Sequence, residues 1–178
     1  MTERIDTLEL TVLEKGLPGV SPVIGKFLAE AIIAAMFEQN HGSGVEIEVK
    51  GVANKKFTVF WSQLHTPQFA ASWSDPDDST EHGACGIAML LILKLTNYTV
   101  IRRARKGEGV DYWLGYKDSA LFQDAARLEV SGTRSNDDSY VRGRVTQKKN
   151  QSKKSDGKFP AYIVVVQFNQ PLSYVEAR

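Results

Sequence analysis

The sequence predicts an α/β fold with a mixed β-sheet. Two long apolar patterns typical of helices, at about residues 22–40 and 81–97, are separated by short runs in which apolar residues alternate or follow one another, as in strands. From about residue 79 the predicted order is helix, strand, strand, strand, helix, strand. A chain of 178 residues is long enough for one such domain with a modest extension.

The first third of the chain predicts a strand–helix–strand–strand unit. Residues 5–13 alternate in apolarity, as a half-buried strand does. Ser21 followed by Pro22 predicts a helix start, because serine caps helix N-termini and proline suits the first helical position. Two further strands are predicted at residues 45–49 and 55–61.

The remaining elements follow an irregular, acidic loop predicted at residues 63–80. Ser79 or Thr80 is then predicted to cap the apolar helix. The last run, residues 159–171, is nearly continuously apolar and predicts a strand buried on both faces. Between them we expect three strands and a helix, at residues 98–106, 110–117, 126–132 and 136–154. We accordingly divide the chain into an N-terminal α/β extension, residues 1–75, and a core, residues 76–178.

Composition narrows the classes of protein to consider. The single cysteine, Cys85, allows neither an intramolecular disulfide nor a zinc knuckle, which suits a reducing cytoplasm. The N-terminal residues carry early acids and no apolar signal core, and the longest apolar run, residues 87–95, is too short to span a bilayer. We therefore expect a cytoplasmic protein with no membrane segment.

Three acids are candidates for a metal site. Asp111 stands at the head of one predicted strand, Glu129 lies inside the next, and Glu81 opens the preceding helix. If the two strands pair, both of their carboxylates can reach one point. Converging carboxylates repel one another unless a cation lies between them, and oxygen ligands favour Mg²⁺ or Mn²⁺ over zinc.

This arrangement resembles the PD-(D/E)XK nuclease superfamily, which has the restriction-endonuclease-like fold. The residues that carry the resemblance are Glu81, the triplet Gly109-Val110-Asp111 and the triplet Glu129-Val130-Ser131, within about residues 79–171. The resemblance implies a helix–strand–strand–strand–helix–strand core in which Asp111, Glu129 and Glu81 hold Mg²⁺ or Mn²⁺. The helix predicted at 136–154 would then lie beside the site.

One position departs from the family pattern. The family usually has a lysine two residues after the glutamate, and this chain has Ser131 there. Serine can hold a water molecule but supplies no positive charge. A lysine from elsewhere, Lys106, Lys148 or Lys149, is expected to replace it if the protein is catalytic.

Two basic segments, residues 102–106 and 142–158, flank the predicted site in chain order, and phosphate backbones bind such segments by charge neutralisation. We expect nucleic acid, DNA in the first place, to contact them. A solvated helix end is the alternative interpretation of the second segment. The candidate contacts are Arg102, Arg103, Arg105, Arg142, Arg144, Lys148, Lys149, Lys153 and Lys154.

The candidate site residues also have purely structural interpretations. Asp111 and Glu129 would also fit as ordinary solvent-facing strand acids, although aspartate is disfavoured in strands. Glu81 would also fit as a first-turn acid favoured by the helix dipole. Cys85, in an apolar helix with small neighbours, is better explained as a packing residue than as a nucleophile.

Two functions from different classes follow. The first is a Mg²⁺-dependent nuclease that hydrolyses DNA phosphodiesters, in a phage-defence or restriction-type complex. The second is a catalytically inactive nuclease-like module that binds nucleic acid or scaffolds a multi-protein assembly. Both imply a protein partner or a homo-oligomer. A small interaction protein without nucleic acid is a third possibility, and salt-insensitive behaviour on DNA would identify it.

Overall fold

The computed structural model describes residues 6–152 and 158–178, which form eight strands and five helices. The strands are β1 (Asp6–Glu9), β2 (Val45–Gly51), β3 (Lys55–Phe60), β4 (Tyr98–Arg103), β5 (Tyr112–Tyr116), β6 (Ala126–Thr133), β7 (Ala161–Gln167) and β8 (Leu172–Ala177). The helices are α1 (Thr11–Glu14), α2 (Pro22–Glu38), α3 (Pro67–Ser72), α4 (Pro76–Leu95) and α5 (Asp138–Ser152). The predicted α/β class is confirmed.

All eight strands belong to one mixed sheet, in the order β1-β3-β2-β8-β7-β6-β5-β4. Three neighbouring pairs are parallel, namely β1 with β3, β2 with β8 and β6 with β7, and the others are antiparallel. The pairing of β2 with β8 joins the strands of the N-terminal unit to those that follow residue 75. The division of the chain at residue 75 is therefore not a division of the sheet.

Helices cover both faces of this sheet, but very unequally. On one face α2 and α4 pack against each other and against the strands, and they form a large core with fully buried residues such as Ile32, Ile87 and Leu128. On the other face α5 rests on a small cluster, in which Val141 and Val145 contact strand residues of β7. The polar α5 thus contacts the sheet through a small apolar cluster.

The predicted strand at residues 5–13 is wrong in its second half. The strand ends at Glu9, Leu10 already has helical dihedral angles, and α1 follows at once. Leu10 and Leu13 are both buried, and their spacing of three suits a helical turn better than a strand. Apolar alternation over so few residues does not distinguish the two.

The predicted loop at residues 63–80 is also wrong, because it contains α3 and the first turn of α4. Thr66 accepts a hydrogen bond from the N–H of Phe69, and Asp75 accepts one from Asp77, so each caps a helix that begins with proline. Ser79 lies inside α4 and donates to Glu38 at 3.0 Å instead of capping the helix. The cap-and-proline pattern that identifies α2 thus recurs twice here.

The closing strand is a hairpin. β7 ends at Gln167, the chain turns, and β8 runs back along it from Leu172. The turn contains the polar residues Asn169 and Gln170. The predicted strand at 159–171 included them because the residues around them are apolar. β8 is the strand that connects the two halves of the sheet.

Within the described ranges, no helix has the length and apolar character needed to cross a membrane.

Candidate functional site

Asp111 occupies the end of the β4–β5 connection, between two neighbouring strands. The connection passes through Gly107 and Gly109, whose φ angles of 96° and 71° suit glycine. The N–H of Asp111 donates to the carbonyl of Leu128 at 3.1 Å, and its carbonyl accepts from Ala104 at 3.0 Å. Asp111 is therefore held against β6, next to the register pair of Tyr112 and Leu128.

The predicted pairing of Asp111 with Glu129 is present in the structure. The carboxylate of Asp111 accepts the backbone N–H of Val130 at 2.7 Å, which places it beside Glu129. Glu129 is 3% exposed, on the face of β6 that α5 covers. Burial raises the pKa of Glu129, and the negative charge of Asp111 raises it further.

Lys148 of α5 completes the cluster from the opposite side. Its Nζ atom lies 3.1 Å from Oε2 of Glu129 and 3.6 Å from Oδ2 of Asp111. The ammonium group offsets part of the repulsion between the two carboxylates and opposes the rise in the pKa of Glu129. Of the three lysines considered as substitutes for the family lysine, Lys148 is the one that contacts both acids.

The spacing of the valines in α5 is a sequence signal for the position of Lys148. Val141 and Val145 are the buried residues of α5, and Lys148 follows them by seven and three positions. Residues at these spacings share one helix face. The two valines therefore mark the face of α5 that turns toward the sheet, and Lys148 lies on it.

Ser131 is buried at 8% exposure, two residues beyond Glu129 and on the same face of β6. It is not among the residues that line the cleft over the acids. Lys106 does line this cleft, from the rim.

Glu81 is not brought into the cluster. It is exposed on α4, on the opposite face of the sheet from α5, and does not line the cleft. Its charge and that of Asp111 both reach Cys85, where burial is the main cause that raises the thiol pKa to about 11. Within residues 6–152 and 158–178, no group of three or more His, Cys, Asp and Glu side chains is arranged as a metal site. Of the three predicted acids, the structure therefore brings Asp111 and Glu129 together.

An open cleft of about 680 Å³ lies over this pair. Its rim is basic, because Arg103, Arg105 and Lys106 line it on the side of the β4–β5 connection. Gln151, one turn beyond Lys148 on α5, lines it as well. The cleft thus combines two carboxylates and a lysine at its base with three cationic residues at its edge.

Arg102 points into the protein's own network instead. Its guanidinium donates to Glu108 at 3.1 Å and to Asp124 at 2.8 Å, and it lies 4.9 Å from the ring centroid of Trp113. Glu108 also accepts the backbone N–H of Arg105. These two donors, Arg102 first, lower the pKa of Glu108 to about 2. Arg102 thereby supports the loop that carries the basic rim.

The basic residues of α5 are distributed over several environments. Arg142 is exposed, whereas Arg144 donates to the hydroxyl of Tyr140 and lies over its ring. Lys149 forms an ion pair with Glu176. The predicted contacts Lys153 and Lys154 lie outside the described residues.

The two aromatic residues after Asp111 belong to the fold. Tyr112 is buried in the main core. Trp113 packs edge-to-face with Phe159, with ring centroids 5.5 Å apart, and its ring also contacts the guanidinium of Arg102. Glu108 and Asp124, which hold Arg102, were not found by sequence reasoning. Asp124 reaches Arg102 from the β5–β6 connection, 22 residues along the chain, and this contact depends on the folded arrangement of the strands.

Comparison of the chain with protein-family models, with curated proteins and with solved structures finds no match.

Proposed function

We propose that the chain is a divalent-metal-dependent nuclease that hydrolyses phosphodiester bonds of nucleic acid, DNA in the first place. The observation that carries the proposal is the contact of Lys148 with both Asp111 and Glu129 at the base of a basic cleft. It supplies, from α5, the positive charge that the family pattern would place at Ser131. The order α4, β4, β5, β6, α5, β7 also agrees with the resemblance to the PD-(D/E)XK superfamily.

The two carboxylates suit Mg²⁺ or Mn²⁺. Magnesium is commonly held by one or two carboxylates, with water and substrate phosphate completing its shell. One oxygen of Asp111 is engaged by Val130, which fixes the carboxylate without using its other oxygen. When bound, the metal would activate a water molecule and stabilise charge on the phosphate.

The chain's own groups perform the remaining tasks. Arg103, Arg105 and Lys106 neutralise backbone phosphates at the rim and orient the strand. Lys148 donates to the attacking water or to a phosphate oxygen, where its charge stabilises the transition state. Glu129 must lose its proton before it can hold a cation, since protonated carboxyl groups are poor ligands.

Cleavage of supercoiled plasmid in Mg²⁺ and in Mn²⁺ tests the proposal. We expect metal-dependent nicking that falls on the order of a hundredfold or more in Asp111→Asn, Glu129→Gln and Lys148→Met. Lys149→Met is the matched control, because Lys149 is the next residue of the same helix but pairs with Glu176. Cleavage that survives Asp111→Asn and Glu129→Gln would rule out this site.

A second candidate function is a catalytically inactive module that binds nucleic acid or scaffolds an assembly. The presence of Lys148 between the carboxylates favours it, because the ammonium group already offsets the charge that a metal would neutralise. This candidate predicts salt-dependent DNA binding with neither cleavage nor Mn²⁺ binding. A calorimetric Mn²⁺ titration of the unmodified protein and of Glu129→Gln separates the two candidates.

A further inference from the structure

A second, smaller pocket lies among α2, α3 and α4, and it shares no residue with the cleft. Its volume is about 190 Å³, enough for the end of one side chain. The residues that line it are Phe27, Glu30, Ser72, Trp73, Asp78 and His82. No lysine or arginine is among these lining residues, and two carboxylates are.

Aromatic rings form the walls of this pocket. The ring of Phe27 lies 5.1 Å from that of Trp73, at an angle of 42°, and 4.9 Å from that of His82, nearly edge-on. Phe27 is 42% exposed, so part of its ring remains accessible. Aromatic faces attract cations through their quadrupole, and tryptophan does so most strongly.

One of the carboxylates is held in a fixed position. Glu30 accepts the indole N–H of Trp73 at 3.3 Å and a side-chain N–H of Gln63 at 3.4 Å. The other, Asp78, is exposed on the first turn of α4. A group that enters the pocket therefore meets aromatic carbon and negative charge together, and this combination selects an organic cation.

An apolar strip leads to the pocket along α2. Val23 is 76% exposed and Ile24 is 51% exposed, and they precede Phe27 by four and three residues. These spacings place all three on one face of the helix. A partner segment could thus lay apolar side chains on the strip while a basic one enters the pocket.

We propose that this surface binds a protein partner by receiving an arginine side chain against the rings of Phe27 and Trp73 and beside the carboxylates of Glu30 and Asp78, with apolar neighbours of that arginine on Val23 and Ile24. Arginine fits because its planar guanidinium stacks on rings and pairs with carboxylates. The inference does not depend on the proposed nuclease activity. The cleft residues take no part in it.

The first experiment uses the full chain and a small probe. N-acetyl-arginine amide is titrated at pH 8 while the indole N–H signal of Trp73 is followed by NMR. A Trp73→Phe variant assigns the signal. We expect a saturable shift with N-acetyl-arginine amide and none with N-acetyl-citrulline amide, its neutral isostere. No shift, or equal shifts with both probes, would overturn the proposal.

Variants locate the binding groups. Glu30→Gln keeps an acceptor for the Trp73 indole but removes the charge, and Phe27→Leu keeps the apolar bulk but removes the ring. Asp78→Asn removes the other charge. Each of these three single variants should weaken probe binding roughly two- to fivefold. Glu46→Gln makes the same charge change on β2 and should leave binding unchanged. Uniform behaviour of all four variants would contradict the assignment of the site.

Two tripeptides test whether the occupant is a protein segment. Capped Leu-Arg-Leu should bind more tightly than capped Gly-Arg-Gly, because its leucines reach the apolar strip. The Val23→Ser, Ile24→Ser double variant should remove that preference while it keeps the binding of Gly-Arg-Gly. Equal affinity of the two peptides for the unmodified chain would show that the pocket takes a lone cation, against a protein-docking role.

Discussion

The carboxylate of Asp111 accepts the backbone N–H of Val130 at 2.7 Å, and this one hydrogen bond sets its position beside Glu129. The bond joins the end of the β4–β5 connection to β6. The two carboxylates are thus preorganised by the backbone, and Lys148 joins them from α5.

Asp111→Ala should destabilise the protein more than Asp111→Asn does. The alanine variant leaves the N–H of the buried Val130 without its acceptor, which costs about 1–3 kcal/mol. Asparagine keeps an acceptor oxygen at the same place. Both variants remove the same charge, so the difference between their free energies of unfolding in urea isolates the hydrogen bond. Equal stabilities would mean that water replaces Asp111 as acceptor.

Glu129→Gln should change how stability depends on pH in the metal-free protein. Burial, and then the charge of Asp111, raises the pKa of Glu129 in the folded state, whereas glutamate in an unfolded chain titrates near about 4.3. Between these two values the folded state binds more protons, so the free energy of unfolding falls as pH rises. Above the folded pKa this contribution is constant.

Glutamine cannot titrate and lacks this contribution. The stability of Glu129→Gln relative to the unmodified protein should therefore rise with pH across that window and then level off. Urea denaturation in EDTA over a pH series measures it. Parallel curves for the two proteins would contradict the raised pKa of Glu129.

The juxtaposition of Asp111 and Glu129 was predictable because it depends on local chain geometry. An acid at the head of one strand and an acid within the next come together once the two strands pair side by side. Helix–strand order was predictable for the same reason, since each element has its own apolar period. Glu81 was a candidate because it opens the preceding helix, and in the structure it does not line the cleft over the pair.

Long-range relationships were not readable from the sequence. The pairing of β2 with β8 joins residues far apart in the chain, and β8 itself was concealed in an apolar run. The choice of Lys148 over its neighbour Lys149 depends on the rotation of α5, which the two buried residues Val141 and Val145 indicate. A helix with so few apolar residues gives a weak signal of its orientation.

Gly132→Ala should be strongly destabilising, and Gly143→Ala should not. A Cβ at Gly132 would lie 2.4 Å from the carbonyl oxygen of Thr80 and 2.9 Å from Cβ of Ala84, so α4 would have to move away from β6. Such overpacking costs about 1–3 kcal/mol or more. At Gly143, in α5, an added Cβ meets nothing within 4 Å, and alanine should gain up to about 1 kcal/mol through helix propensity.

Urea denaturation of the two variants measures this contrast. The expected difference combines the clash of the added Cβ at Gly132 with the gain in helix propensity at Gly143. A tolerated Gly132→Ala would mean that α4 and β6 are not in close contact at this point.

Arg102 and Lys106, although only four residues apart, should respond differently to charge removal. Lys106 lines the cleft, so Lys106→Gln should remove one phosphate contact and reduce the slope of log Kobs against log[salt] for duplex DNA by about 0.9. Arg102 is held by Glu108 and Asp124, so Arg102→Gln should loosen the loop instead. The readout is hydrogen exchange of the Arg105 amide, which donates to Glu108.

Exchange of that amide should accelerate in Arg102→Gln and in Glu108→Gln, which remove the two ends of the same ion pair, and stay unchanged in Lys106→Gln. A phosphate-binding role for Arg102 requires the reverse pattern, with a reduced salt slope and unaltered exchange. The comparison matters because a guanidinium that is fully used within the protein contributes to binding only through the shape of the loop it supports. The basic rim then consists of Arg103, Arg105 and Lys106, and its geometry depends on the ion pairs of Arg102 with Glu108 and Asp124.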